Sequence, residues 1–184
     1  DGTTNFGTLT SVPGAPTKLA FTTQPTDTVY GSNISTVVVK TQDQFGNNSV
    51  PTSGVNNVSL LLTGTGVLSG ATPIDIGTSG TASFSTLTIN NVGTGNTLTA
   101  SASGLTSATS SPFNVSQKTL TSSITASNKV YDGNTSASIA GRSLTGVVSG
   151  DTVGVTGGTA TFADANVATG IVVSVTGMSL TGAD

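Results

Sequence analysis

The chain has 184 residues, a formal net charge of −3 and only 7% charged residues, and it contains no Cys, His, Trp or Glu. That inventory removes disulfide frameworks, Ser-His and Cys-His nucleophilic sites, and the usual nitrogen and sulfur ligands of zinc. Four Lys and one Arg do not supply the clustered cations that nucleic acid or an anionic membrane demands, and no apolar run is long enough to cross a bilayer. The length allows one or two domains, and two are expected. Abundant Thr and Ser with few charges favour strands and polar turns over helices.

Residues 1–16 read as an opening strand and linker, because Val12-Pro13-Gly14-Ala15-Pro16 sets two residues without ladder donors close together. Strands are predicted over Lys18–Thr23, Thr36–Gln42, Val58–Thr63, Thr81–Ile89, Thr97–Ser103 and Ser111–Val115, where apolar and polar residues alternate. Turns are predicted at Phe45-Gly46-Asn47-Asn48, Thr63-Gly64-Thr65-Gly66 and Gly93-Thr94-Gly95-Asn96. The apolar parity switches between Phe84 and Leu87, which predicts a bulge or a change of sheet partner. The series Leu19-Ala20-Phe21, Gln24-Pro25, Val37 to Asp43 into Phe45-Gly46-Asn47, Gly66-Val67-Leu68-Ser69-Gly70, Gly80-Thr81-Ala82-Ser83-Phe84 and Leu98 to Ala102 resembles a bacterial immunoglobulin-like domain of invasin and intimin stalks. The resemblance implies one β-sandwich over residues 17–116.

The second half carries Lys129-Val130-Tyr131-Asp132-Gly133-Asn134-Thr135, then Leu144 to Asp151, Ala160 to Val167 and Leu180 to Asp184. This pattern resembles the bacterial YDG repeat of large surface and secreted adhesins, and implies a YDG-type β domain over residues 117–184. The resemblance also implies one more strand, of the type Ala-Gly-Asn-Tyr-Thr-Leu, after the position of Asp184. The fold class expected is therefore all-β, with two tandem immunoglobulin-like or β-sandwich domains, the second lacking its last strand within this chain. Residues 2–10 look like a loose version of that strand. Asn5, Phe6 and Leu9 are accordingly the candidates for an assembly strand that fills the edge of a neighbouring copy or a preceding repeat.

The titratable groups are isolated Asp residues, Tyr30, Tyr131 and the lysines, with no pair that converges by spacing, so no catalytic residue and no enzyme activity are expected. Calcium is the cation for which weak ligand candidates exist: Asp43 with Asn47 and Asn48, Asp132 with Asn134, and Asp164 with Asn166. Asp and Asn at these spacings also make turns on their own backbone, which is the preferred reading, and no cofactor is expected. Tyr131 is expected to pack at a strand end with its hydroxyl on backbone, while Asp132 opens a turn that Gly133 permits. An isopeptide cross-link from Lys18, Lys40, Lys118 or Lys129 would need a buried Lys-Asn-acid triplet, and the sequence identifies none. Asp27-Thr28-Val29 and Asp151-Thr152-Val153 resemble the short O-glycosylation motif of Bacteroidota, which makes Thr28 and Thr152 glycosylation candidates.

The expected function is that of a non-enzymatic structural segment of a bacterial extracellular adhesin or surface filament, located outside the cell or on its surface. Its partners would be other copies of itself or adjacent repeats of a longer chain, joined head to tail by strand complementation, with no nucleic acid and no membrane insertion. The alternative is a carbohydrate- or protein-binding adhesin module with its site in the end loops and a surface glycan or protein as ligand.

Overall fold

A computed structural model describes residues 7, 10–52 and 57–182. Every regular element among the described residues is a β-strand. The chain divides into two compact units, Asp1–Gln117 and Lys118–Asp184. The assembly-strand candidates Asn5, Phe6 and Leu9 lie outside the described residues.

Unit 1 holds β1 (Lys18–Thr23), β2 (Thr28–Val29), β3 (Val37–Gln42), β4 (Asn57–Thr63), β5 (Leu68–Ser69), β6 (Ile74–Asp75), β7 (Thr81–Phe84), β8 (Thr88–Ile89), β9 (Gly93–Ser101), β10 (Ala108–Thr109) and β11 (Phe113–Ser116). One sheet has the order β1-β3-β7. The other runs β2-β11-β9-β4-β6, with β10 also on β9, and β5 pairs separately with β8. Alternate residues of each strand point to one side, so Val37 and Val39 of β3 and Ala82 and Phe84 of β7 enter the same buried cluster. Val58 and Leu60 of β4, Leu98 and Ala100 of β9, and Phe113 and Val115 of β11 join it from the second sheet. Unit 1 is thus two sheets closed over one apolar layer.

Two departures from the sequence reading have a physical cause. Gly93–Asn96 is not a free turn but the first half of β9, with Gly95 at a φ of 68° and a register shift opposite Phe113 and Val115 of β11. Asn96, the polar residue that suggests a turn, is fully buried. Its Oδ1 accepts from the Thr65 N–H at 3.0 Å and its Nδ2 donates to the Gly93 carbonyl at 3.4 Å, so the amide braces a strand from inside. Residues 81–89 form two strands instead of one, because β7 pairs with β3 whereas β8 pairs with β5. The parity switch between Phe84 and Leu87 marks that change of partner.

The registers fix where the chain enters and leaves this unit. Lys18 at the start of β1 lies opposite Gln42 at the end of β3, and it bridges to Thr106, beyond the Ser101 end of β9. Ser116 at the end of β11 lies beside Val29, while Val115 is opposite Gly93 at the beginning of β9. The chain therefore enters at one end of the sandwich and leaves at the other.

Unit 2 holds β12 (Thr121–Ala126), β13 (Ser136–Ala137), β14 (Ile139–Thr145), β15 (Val153–Phe162) and β16 (Val173–Gly182). β12 pairs with β14, and β13, β15 and β16 form a three-stranded sheet in that order. Its interior differs in kind from that of unit 1. Among the described residues of unit 2, Ala160 is the one buried apolar residue.

Candidate functional site

The long hairpin of β15 and β16 sets the geometry of unit 2. Gly157 and Gly158 have φ of 72° and 95°, and Gly177 on the facing strand has 72°, which puts a flexure in the middle of both strands. At Gly158 the absent side chain has a purpose. A Cβ there would lie 2.9 Å from both Met178 Cγ and Val175 Cγ1, and 3.4 Å from Ile139 Cδ1. Ile139 of β14 and Val175 and Met178 of β16 thus all lie over the same backbone position of β15. Arg142 of β14 adds a polar tie, donating from Nε at 3.0 Å and from Nη2 at 2.7 Å to the Gly157 carbonyl. Gly158→Val should lower the stability of unit 2 by about 3 kcal/mol through backbone strain and overpacking. Thermal unfolding should show the loss in the unit 2 transition with the unit 1 transition unmoved.

Around this contact the apolar layer stays open. Ile124 and Ala126 of β12, Leu144 of β14, Val155 and Phe162 of β15, and Val173 of β16 are each only half-buried. A cleft of about 500 Å³ lies where the layer opens, lined by residues 126–132 and 134 on one side and by Phe162, residues 164–171 and Val173 on the other.

The rim of this cleft is a turn held by local hydrogen bonds. Asp132 Oδ1 accepts from the Asn134 N–H at 3.1 Å, its Oδ2 accepts from Asn134 Nδ2 at 2.8 Å, and Gly133 between them has a φ of 76°. Lys129 Nζ closes the turn with an ion pair to Asp132 at 2.7 Å and hydrogen bonds to the Asn134 and Ser136 carbonyls. The Lys129 ammonium beside Asp132, with the Asn134 donors, holds that carboxyl below its ordinary range. A Lys-Asn-acid trio that sequence reading did not identify is therefore present. Asp132 and Asn134 are exposed to water and the half-buried Lys129 has its ammonium engaged with a carboxylate, so the trio works as a turn staple and not as a cross-linking centre. On the facing loop, Asp164 Oδ1 accepts from both the backbone N–H and the Nδ2 of Asn166 at 2.9 Å.

Tyr131 corrects the sequence reading. The residue is 63% exposed on the cleft rim instead of packing at a strand end. The apolar residues beside it, Val130 and Val167, are more exposed still. Alternation cannot foresee this, since the residues flanking Tyr131 belong to a segment without regular pairing.

In unit 1 the Asp43 side chain is buried and anchors the loop that follows β3. Its Oδ1 accepts from the N–H groups of Phe45 at 3.0 Å and Asn47 at 2.9 Å, and its Oδ2 accepts from Asn47 Nδ2 at 3.0 Å and from the Gly14 N–H at 3.0 Å. These donors, the Asn47 side chain foremost, hold the Asp43 carboxyl at about 2. Both oxygens are occupied by N–H groups, which is the wrong environment for a cation. The described residues contain no group of three or more acidic side chains placed to share a metal ion. Of the glycosylation candidates, Thr152 is exposed, whereas Thr28 is half-buried in β2 and donates its hydroxyl to the Asn33 carbonyl at 3.3 Å.

Five strands, an Asp-Gly-Asn turn after Tyr131 and an open apolar layer define the second unit. The YDG domain matches residues 116–184. The match starts at the last residue of β11 and takes in every strand of unit 2. Within the matched residues, the sequence Lys129 to Asn134 serves as the stapled rim of the cleft. A search of curated proteins finds no match to the chain.

Proposed function

We propose that the chain is a non-enzymatic, load-bearing segment of a bacterial extracellular adhesin or surface filament, joined to further copies or repeats head to tail by strand complementation. The observation that carries this reading is the placement of the two ends of unit 1 at opposite ends of the sandwich, with β2 running parallel to β11. Tension on the two ends pulls β2 and β11 in opposite directions along their common axis. The bonds between them then bear the load together, whereas a peeled strand would give them up one at a time. Those bonds include Tyr30 N–H to the Ser116 carbonyl at 2.9 Å and Ser116 Oγ to the Thr28 carbonyl at 3.2 Å. Asp27 accepts from the Asn114 N–H at 2.7 Å and from its Nδ2 at 3.2 Å, and Gln24 Oε1 accepts from the Ser111 N–H at 2.9 Å.

The resemblance of residues 17–116 to stalk domains and the YDG match both support a repeat-built surface protein. The acidic balance, with a pI near 4.4, argues against a nucleic-acid partner. In single-molecule stretching, unit 1 should resist as one cooperative event. Asp27→Ala removes exposed bonds worth about 1 kcal/mol and should speed forced unfolding severalfold. Extension of unit 1 at the low force of a peeling strand, indifferent to Asp27, would contradict the reading.

The exposed Tyr131 ring beside Asp132, Asp164 and Asn166 favours a second reading, in which the cleft binds a sugar. A saturable calorimetric response to an oligosaccharide, lost in Tyr131→Ala, would establish a binding module in its place.

A further inference from the structure

We propose that the cleft of unit 2 binds an uncharged oligosaccharide, with the Tyr131 ring as its stacking platform and the outer oxygen of Asp164 as a hydroxyl acceptor. The inference rests on the sugar-binding reading of this cleft and assigns the class of sugar and the two groups that recognise it.

The cleft is shaped by its own hydrogen bonds. Phe162 N–H donates to the Thr135 carbonyl at 2.7 Å, which ties the roots of the two walls together. Ala163 N–H donates to the Val172 carbonyl at 2.8 Å and closes the base of the loop that forms the second wall. The Lys129-Asp132-Asn134 staple fixes the first wall, and the two bonds from Asn166 to Asp164 fix the second. Walls set in this way spare a ligand much of the cost of ordering them. The volume of about 500 Å³ is that of an ordinary small-molecule site.

The surface facing this space is apolar where it is enclosed and polar at its rim. Ala126, Phe162, Ile171 and Val173 are half-buried lining residues, whereas Tyr131 on one wall and Asp164 on the other are exposed. Val130 and Val167 extend the apolar surface onto both lips, where folding leaves them uncovered. Asp164 uses Oδ1 for both Asn166 donors. Among the described residues, its Oδ2 and the Tyr131 phenol take no hydrogen bond. A sugar ring meets both needs at once, laying its C–H face on an aromatic ring while its hydroxyls donate to a fixed carboxylate oxygen.

Charge selects the class of sugar. The lining holds two Asp and one Lys. That Lys129 ammonium already has the Asp132 carboxylate at 2.7 Å and the Asn134 and Ser136 carbonyls around it. Among the lining residues no cation is left to receive a phosphate, a uronate or a sialic acid, and the outer oxygen of Asp164 repels each of them. A peptide docking by its backbone would want a strand edge, but residues 127–135 and 163–172 are turns and irregular chain. An uncharged glycan needs neither a cation nor an edge.

The test is isothermal titration calorimetry of the full chain with three uncharged hexamers, cellohexaose, maltohexaose and chitohexaose, against hexagalacturonate and hexalysine, with amide NMR to locate the site. At least one uncharged hexamer should bind saturably and more tightly than hexagalacturonate or hexalysine, shifting amide signals within residues 128–134 and 164–171. Tyr131→Ala should weaken that binding about tenfold. Asp164→Asn keeps an oxygen for Asn166 but removes the charged acceptor, and should weaken binding about fivefold. Both side chains are exposed, so the melting of unit 2 should not move in either variant. Tighter binding of hexagalacturonate, or binding of an uncharged hexamer that Asp164→Asn leaves unchanged, would overturn the assignment and leave a sugar-binding cleft. Binding of hexalysine alone, or no saturable response to any of the sugars, would overturn the assignment and the sugar reading together.

Discussion

Phe84→Ala should lower the unfolding free energy of unit 1 by about 3–5 kcal/mol, while Phe162→Ala should cost unit 2 of the dilute chain only about 1 kcal/mol. Both residues are inward-facing aromatics of a β-strand, so strand pattern gives no reason for the difference. Surroundings do. Phe84 is fully buried between two sheets, where truncation removes transfer free energy and leaves a cavity. Phe162 lines an open cleft, where water already meets part of the ring and fills the space after truncation. Urea unfolding of the two variants, with the two units followed separately by amide NMR signals, measures the contrast. Equal losses would mean that the unit 2 interior is closed in the free chain.

Asp43→Ala should lower the melting temperature of unit 1 by on the order of 10 °C. The substitution leaves the N–H groups of Gly14, Phe45 and Asn47 facing an apolar methyl, and unsatisfied donors near a protein interior are costly. It also removes one of the two hydrogen bonds that hold Gly14, the other running from the Ser49 hydroxyl to the Gly14 carbonyl. The same carboxylate gives an acid response of fixed sign. Its folded value of about 2 lies below the ordinary 3.8. The contribution is therefore complete above the unfolded value, near pH 4, and is lost as pH falls toward 2. Asp132, also held low, acts in the same direction in unit 2. Melting curves between pH 7 and 2 should show unit 1 losing stability across the lower part of that range, with a flatter profile in Asp43→Asn. A profile that Asp43→Asn leaves unchanged would remove the carboxylate from this role.

The parts of the fold legible in the sequence are those where one face of a strand is apolar and the other polar. β1, β3 and β4 are of this kind, and their bounds follow from Leu19, from Val37 with Val39, and from Val58 with Leu60. The start of β9 was hidden because its inward residue is Asn96, a polar side chain satisfied by a backbone N–H from another part of the chain. Such a partner, thirty-one residues away in sequence, leaves no local trace. The two-residue strands β2 and β10 are too short for any period, although β2 supplies the parallel pairing on which the mechanical reading depends. The Asp43 and Asp132 turns were visible as Asp and Asn at turn spacing. Which donors fill the carboxylates was not, because Gly14 reaches Asp43 only after the sheet has folded. The cleft of unit 2 and the exposed Tyr131 on its rim lie in segments without regular pairing, where alternation carries no signal.

Single-molecule stretching of unit 1 tests the central claim most directly. Unit 1 should unfold as one cooperative event at a force that Asp27→Ala lowers, because the bonds between the β2 and β11 segments bear the load together. Extension at the low force of a peeling strand, indifferent to Asp27, would contradict a load-bearing segment.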